Sequence, residues 1–192
     1  MKQIFIIALS MVLLSTISSA QKTGNEKRIS FRSINQVGIL AGSSDAALQL
    51  QTINGIKNKT LFMGLGLGLD NYYVRSVPVF LDVRKDIFNK RITPFIYADG
   101  GYHFPWSSKK DEDVAWWGEK RKGGLYYELG IGYKTPVFKK MQLLFSAGYS
   151  YKHLSETVNS MPWLSIWLPP REAYEKYEYS FRRIAIKAGL SF

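Results

Sequence analysis

The chain has 192 residues, a formal net charge of +11 and no cysteine, so we expect one domain without disulfides or cysteine-ligated metals. Two histidines are too few for a typical histidine-ligated metal site, and we expect no metal and no cofactor. The hydrophobic fraction of 46%, with 12 Tyr, 11 Phe and 5 Trp, excludes a disordered chain and is typical of a membrane β-barrel with aromatic girdles.

The N-terminal segment has the pattern of a secretory signal peptide. Lys2 provides a short positive region, residues 4–14 are almost entirely apolar, and the small side chains of Ser18 and Ala20 form a cleavage site. Because the apolar stretch is short for a bilayer span, we predict a cleaved peptide at residues 1–20 rather than a membrane anchor. Residues 21–192 then form one β-barrel domain.

After this segment, apolar residues alternate with small or polar ones in stretches of about ten residues. Alternation with a period of two predicts β-strands that have one apolar face. The clearest case is MGLGLGLD at residues 63–70, in which leucine and glycine alternate. Eight strands are predicted, at residues 30–42, 46–53, 63–70, 77–84, 92–104, 125–134, 141–152 and 183–192.

The alternation admits two folds, because the apolar face points inward in a soluble β-sandwich and towards lipid in a membrane barrel. The opposite face is rich in glycine here, as at Gly66, Gly130 and Gly148. Glycine weakens a solvent-facing strand, but in a narrow barrel it makes room for bulky or charged side chains. The prediction is therefore an all-β, eight-stranded, antiparallel up-and-down transmembrane barrel.

The predicted connections differ in length. An even number of strands places both termini in the periplasm, with short periplasmic turns and longer outer loops. The periplasmic turns are predicted at residues 54–59, 85–91 and 135–140, and the outer connections at residues 43–45, 71–76, 106–122 and 153–176. Loops above a rigid scaffold often carry function, so the two longest outer connections are the first candidates for it.

The chain resembles the small eight-stranded outer-membrane barrels of Gram-negative bacteria. QLQTINGIKNKT, YYVRSVPVFLDVRKDIF and TPFIYADGGYHFPW are similar to a group of Bacteroidetes barrels without an assigned activity. The final pattern I-x-I-x-A-x-L-x-F, ending at Phe192, resembles the C-terminal signal that the barrel-assembly machinery reads in that class. The resemblance implies an outer-membrane location, contact with membrane lipid and lipopolysaccharide, and recognition by the assembly machinery.

Charged residues on the glycine-rich face would point into the lumen. Buried charges must be paired, and eight strands leave an interior only wide enough for side chains. We therefore expect a charge network that fills the barrel, while a charged binding pocket or an ion path stays an alternative. The residues concerned are Asp82, Arg84, Asp99, Glu128, Arg183 and Lys187, together with Asp70 and Lys134.

His153, Ser155 and Glu156 follow the predicted seventh strand and are the residue types of an acyl-transfer site. The H-x-S spacing resembles part of the motif of outer-membrane lipid A deacylases, which are also eight-stranded. The chain departs from that motif directly after Ser155, where Glu-Thr stands in place of Asn-Ala. A histidine at the base of a loop is the simpler interpretation, and we expect no enzymatic activity.

Tryptophans mark the two longest outer connections. Trp163 and Trp167 lie in an unusually apolar segment, residues 161–170, whereas Trp116 and Trp117 lie between KKDED and EKRK. The apolar segment predicts either a protein partner or anchoring and capping of the barrel. The basic residues beside Trp116 suit lipopolysaccharide phosphates, with a solvated loop as the alternative. In a secreted chain we expect the positive charge to meet anionic lipid or polysaccharide, and no nucleic acid.

The leading hypothesis is a non-enzymatic outer-membrane barrel. Its role would be structural or adhesive, or accessory to transport or secretion, with contacts made by the long outer loops. The alternatives are an outer-leaflet lipid A acyl hydrolase that uses His153 and Ser155, and a small-solute channel. The hydrolase requires these two residues and an acid to converge, and the channel requires an open lumen.

Overall fold

The computed structural model describes residues 29–42, 46–106, 120–160 and 173–192, so the predicted signal peptide lies outside the described residues. The described residues form nine β-strands in one antiparallel sheet and contain no helix that is long and apolar enough to cross a membrane. The strands are β1 (Ile29–Ala41), β2 (Ala46–Asn58), β3 (Leu61–Asn71), β4 (Arg75–Asp86), β5 (Thr93–Pro105), β6 (Lys120–Lys122), β7 (Leu125–Pro136), β8 (Gln142–Ser160) and β9 (Ala173–Ser191).

The sheet closes into a barrel because β1 pairs with β9 as well as with β2. The short strand β6 adds no further position to the circumference, since β6 and β7 both pair with β8. Lys122 lies opposite Ser155 and Tyr126 opposite Lys152, so the register shifts by one residue between the two strands. This shift is a β-bulge at the two glycines 123 and 124. The barrel therefore has eight strands around its axis, which confirms the predicted fold.

The two faces of the barrel wall differ as the alternation predicts. Leu65 and Ile131 are 65% and 67% exposed on the outside, whereas Asp82 and Glu128 are fully buried in the interior. A soluble protein of this size would bury the leucine face and expose the carboxylates. The apolar exterior therefore requires a lipid environment, where a closed barrel also satisfies its own backbone hydrogen bonds.

The periplasmic turn predicted at residues 54–59 is wrong, because most of it is strand. β2 continues to Asn58, and the hairpin turns over Lys59 and Thr60, with Lys59 at a φ of 53°. The Asn-Gly pair at residue 54 resembled a turn, but Gly55 lies within the β2–β3 ladder. A Cβ at Gly55 would collide with the Met63 carbonyl, so this glycine serves close strand approach.

The outer connection predicted at residues 153–176 is strand in its described parts, residues 153–160 and 173–176. β8 and β9 have 19 residues each and pair over their whole length, from Gln142–Ser191 to Ser160–Ala173. β1 accompanies β9 only as far as the pair of Ala41 and Ile184. Residues 153–160 and 173–183 therefore form a β-hairpin that extends past the end of β1, which we call the outer hairpin.

Candidate functional site: the lumen and the outer hairpin

An ion pair between Lys187 of β9 and Glu128 of β7 occupies the centre of the lumen. The Lys187 Nζ lies 2.5 Å from Glu128 Oε1, and both side chains are almost fully buried. The hydroxyl of Tyr97 donates to the same oxygen at 2.7 Å, and that of Tyr126 donates to Oε2 at 3.1 Å. Lys187 also donates to Gln51 Oε1 at 3.0 Å. Both charges thus have several partners, which a buried ion pair needs in order to be tolerated.

A second group lies beside this centre, around Arg84 of β4. Arg84 Nη2 lies 2.8 Å from Asp82 Oδ2 on the same strand. Its guanidinium carbon lies 5.6 Å and 5.4 Å from the ring centroids of Phe95 and Tyr97, which is cation–π geometry. Asp99 is paired with Asp82 across the β4–β5 ladder, and its Oδ2 lies 3.8 Å from Lys187 Nζ. Asp99 therefore links the two groups electrostatically.

A third group fills the outer end of the lumen. Lys152 forms an ion pair with Asp70, and the Ser76 hydroxyl donates to Asp70 Oδ1 at 2.8 Å. The Lys152 Nζ and the Arg183 Cζ lie 4.6 Å and 4.8 Å from the centroid of the Tyr72 ring. Arg183 also donates to the Tyr72 carbonyl at 2.8 Å. The two cations therefore bind Tyr72 of the β3–β4 turn at the outer end of the lumen.

All six residues predicted for the lumen network are buried in the lumen. The prediction omitted Lys152. Lys152 lies on the same face of β8 as Ser146 and Ser150, and this shared parity was the available signal. Within the described residues, no group of three or more potential metal ligands occurs. The carboxylates of the lumen instead face lysine and arginine.

Two small cavities lie at the ends of the described lumen. A cavity of about 10 Å³ lies beside Tyr72, His103 and Lys152 at the outer end. A second cavity, of about 30 Å³, lies beside Lys57 and Asp86 at the opposite end. One water molecule occupies about 10–15 Å³ on this scale, so the two cavities hold one to a few waters.

The structure does not assemble His153, Ser155 and Glu156 into one site. Glu156 is 5% exposed and accepts a hydrogen bond from Arg121 Nε at 2.7 Å. His153 and Ser155 alternate with Glu156 along β8 and therefore point to its opposite face. The proposed acid is thus on the wrong side of the strand. Neither the His153 ring nor the Ser155 hydroxyl hydrogen-bonds to a described residue.

Glu178 of β9 is the acid that shares a face with His153 and Ser155. It lies directly opposite Ser155 in the β8–β9 ladder. The Lys176 Nζ, 2.6 Å from its carboxylate, lowers the pKa of Glu178. Sequence reasoning missed Glu178 because only the register between two strands identifies it.

The outer hairpin carries a cluster of aromatic residues that sequence reasoning also missed. Tyr73, Tyr179 and Phe181 have ring centroids 5.9–6.0 Å apart and interplanar angles of 12–29°. Three equal separations mean that the rings lie side by side and not in one stack. Tyr73 was assigned to an outer turn and the other two residues to no predicted strand. We call these three residues the aromatic cluster.

The four tryptophans Trp116, Trp117, Trp163 and Trp167 lie outside the described residues, so their proposed contacts with lipopolysaccharide and a protein partner stay predictions. Phe192 is described, and its backbone exchanges hydrogen bonds of 2.9 Å and 3.3 Å with Ser33. Its side chain is 47% exposed on the apolar exterior. The role of Phe192 as an assembly signal stays a prediction.

Solved outer-membrane proteins share this fold. The outer membrane protein AlkL, determined by solid-state NMR in DMPC bilayers, gives a TM-score of 0.52 at 12% identity, over 91% of this chain and 93% of that chain. OprG from Pseudomonas aeruginosa gives a TM-score of 0.51 at 10% identity, over 84% of this chain and 94% of that chain. No protein-family model matches the chain, and no curated protein matches it in sequence. A closed barrel with an apolar exterior belongs in the outer membrane, and the predicted location is confirmed.

Proposed function

We propose that this protein is a non-enzymatic, non-conducting outer-membrane barrel whose outer hairpin contacts material outside the cell, in a structural or adhesive role. The length of the outer hairpin carries the proposal. A strand needs about 9–11 residues to cross the bilayer, whereas β8 and β9 have 19 each. The part of β9 that extends past β1, residues 173–183, spans about 35 Å along the strand at ~3.3 Å per residue.

Contacts at the base of the outer hairpin favour a fixed projection over a loose loop. The ion pair of Arg121 with Glu156 joins β6 to β8. The aromatic cluster joins β9 to the β3–β4 turn through Tyr73. A hairpin held from both sides loses less conformational freedom when it binds, which favours its use for recognition.

The filled lumen favours a contact function over transport through the barrel. Three groups of ion pairs lie in the interior, and the two cavities beside them each hold one to a few water molecules. Opening a path for a solute would separate buried charges, at a cost of several kcal/mol for each. The same outer surface would also serve an accessory role beside transport or secretion machinery, which is the other form of this proposal.

The experiment shortens the outer hairpin without disturbing the barrel. Glu156 and Tyr177 are directly opposite in the β8–β9 ladder, so residues 157–176 can be replaced by Asn-Gly, which forms a two-residue hairpin turn. Cells carrying the wild type or the shortened protein are crosslinked, and the partners are co-purified. A narrower deletion, of residues 161–170, removes only the segment that contains Trp163 and Trp167.

The shortened protein should fold but lose its crosslinked partners, and the wild type should give no conductance steps in planar bilayers. Migration before and after boiling is the control for folding. An unchanged set of partners after the replacement, or stable conductance of the wild type, would contradict the proposal. Loss of partners in both variants would assign the contact to residues 161–170.

The hydrolase is the second candidate, because His153, Ser155 and Glu178 share the outward face of the hairpin. In such a site, histidine removes the serine proton while the serine oxygen attacks an acyl carbonyl, and the acid orients the histidine. Mass spectrometry of lipid A from cells with the wild type, with Ser155→Ala and without the protein tests this candidate. Loss of an acyl chain in wild-type cells alone would favour the hydrolase, and identical spectra would exclude it.

A further inference from the structure

The end of the barrel at which β1 begins and β9 ends is strongly basic. Asp86 has the one acidic side chain at this end among the described residues, and it is buried between Lys57 and Lys134, each 2.5 Å away. The exposed charged side chains at this end are all positive in the described part of the chain. We call these six side chains the basic rim: Lys59, Lys85, Lys90, Arg91, Lys139 and Lys140.

Two turns of the basic rim repeat one chemical pattern. The β4–β5 turn contains IFNKR at residues 87–91, and the β7–β8 turn contains VFKK at residues 137–140. Each turn combines an apolar pair with a basic pair. The apolar pairs project outward, with Phe88 54% and Phe138 68% exposed. Apolar side chains beside lysine and arginine are the arrangement of segments that lie in the boundary between lipid headgroups and acyl chains.

Hydrogen bonds join the two turns into one surface. Arg91 Nη2 donates to the Lys139 carbonyl at 3.4 Å, and Arg32 Nη1 donates to the Lys140 carbonyl at 3.4 Å. These arginines therefore bind backbone oxygens and meet no carboxylate there. Their positive charges are not neutralised within the described residues, and four basic side chains lie together across two turns.

The opposite end of the barrel differs because it also carries acidic side chains. There, Arg121 pairs with Glu156, and Lys176 pairs with Glu178. Short turns and both termini mark the periplasmic end of an even-stranded barrel, which assigns the basic rim to the inner leaflet of the outer membrane. That leaflet consists of phospholipids, some of them anionic.

We propose that the basic rim binds the headgroups of anionic phospholipids in the inner leaflet. Lys90, Arg91 and the two lysines 139 and 140 contact the phosphates, because charge-assisted hydrogen bonds to phosphate are the strong contacts open to these groups. Phe88 and Phe138 insert at the level of the acyl chains. The phenylalanines favour a lipid over a soluble polyanion of the cell wall, which would leave them in water.

The experiment measures the heat stability of the barrel in vesicles. The protein is refolded into phosphatidylcholine vesicles with and without phosphatidylglycerol, and its unfolding temperature is read from migration on gels. Phosphatidylglycerol should raise the unfolding temperature of the wild type, and added salt should reduce the rise, because exposed charges are screened.

Two variants that lose the same charge locate the effect. The variant with Lys90→Gln, Arg91→Gln, Lys139→Gln and Lys140→Gln should lose most of the rise. Its control carries Arg75→Gln, Lys122→Gln, Lys176→Gln and Arg182→Gln, which are exposed basic residues near the opposite end, and it should keep the rise. An equal rise in the two variants would overturn the proposal, since the effect would then follow net charge alone.

A measurement on the unmodified protein covers the case in which the first variant does not refold. Native mass spectrometry of the wild type in detergent, with phosphatidylglycerol and phosphatidylethanolamine in competition, should show preferential phosphatidylglycerol adducts. Equal adducts would overturn the proposal. A soluble anionic muropeptide that raises the unfolding temperature where phosphatidylglycerol does not would assign the basic rim to the cell wall instead and would also overturn it.

Discussion

Lys187 and Glu128 meet at the centre of the lumen although their strands, β9 and β7, are separated in the sheet by β8. The pair is joined by Tyr97 from β5 and Gln51 from β2, so four strands that are mostly not neighbours converge on it. These four side chains can meet only when the strands are in one relative register. The lumen charges therefore specify the assembled barrel as well as fill it.

Removing one partner of this pair should destabilise the barrel strongly. Lys187→Met leaves the Glu128 carboxylate buried without its cation, and breaking a buried pair costs about 3–5 kcal/mol. The double variant Lys187→Met/Glu128→Leu removes both charges of the pair and should recover part of the loss, while Asp99 still lacks Lys187. The measurement is the free energy of unfolding from urea titration in vesicles. Single variants as stable as the wild type would contradict the structural role of the pair.

A charge on the outside of β3 should prevent insertion. Leu67 lies midway along β3 on the lipid-facing side, and arginine near the middle of the bilayer costs about 2–4 kcal/mol. Leu67→Arg should therefore lower the yield of the heat-modifiable form, whereas Leu67→Phe keeps an apolar surface and should not. Equal yields for the two variants would mean that this face of β3 does not meet lipid.

Two glycines of the barrel wall should respond in opposite ways to alanine. A Cβ at Gly66 would collide with the buried ring of Phe80, whereas a Cβ at Gly100 has no neighbour within 4 Å. Gly66→Ala should lower the free energy of unfolding by about 1–3 kcal/mol, as overpacked cores do. Gly100→Ala should leave it unchanged or raise it slightly, because glycine weakens strands. Adding Phe80→Leu to Gly66→Ala should restore part of the loss.

The folded protein should resist SDS until it is heated. Closure of the sheet between β1 and β9 pairs the strand edges, so unfolding must break many backbone hydrogen bonds in an apolar environment. Unboiled and boiled samples should therefore migrate differently on a gel. A sample that migrates identically before and after boiling, or that partitions away from detergent, would contradict the membrane placement of residues such as Leu65 and Ile131.

The sequence by itself determined the class of fold and the two faces of the wall. Side chains of a strand alternate between its two faces whatever the neighbouring strands are. The local sequence therefore shows that the leucines of residues 63–70 lie on the outer face and that Asp82 and Lys187 lie on the lumen face. The ends of strands were less readable. Gly55 resembled a turn because a turn and a close approach of two backbones both require glycine, and only the position of Met63 distinguishes them.

The tertiary structure decided which residues meet. Glu156 was the acid proposed for a catalytic site, yet it lies on the opposite face of β8 from Ser155. The register between β8 and β9 brings Glu178 opposite Ser155 instead. In the same way, the contact of Lys187 with Glu128 depends on closure of the barrel. A local pattern sets which face a side chain occupies. Contacts between distant strands depend on the packing of the whole lumen, because the buried charges must be paired simultaneously.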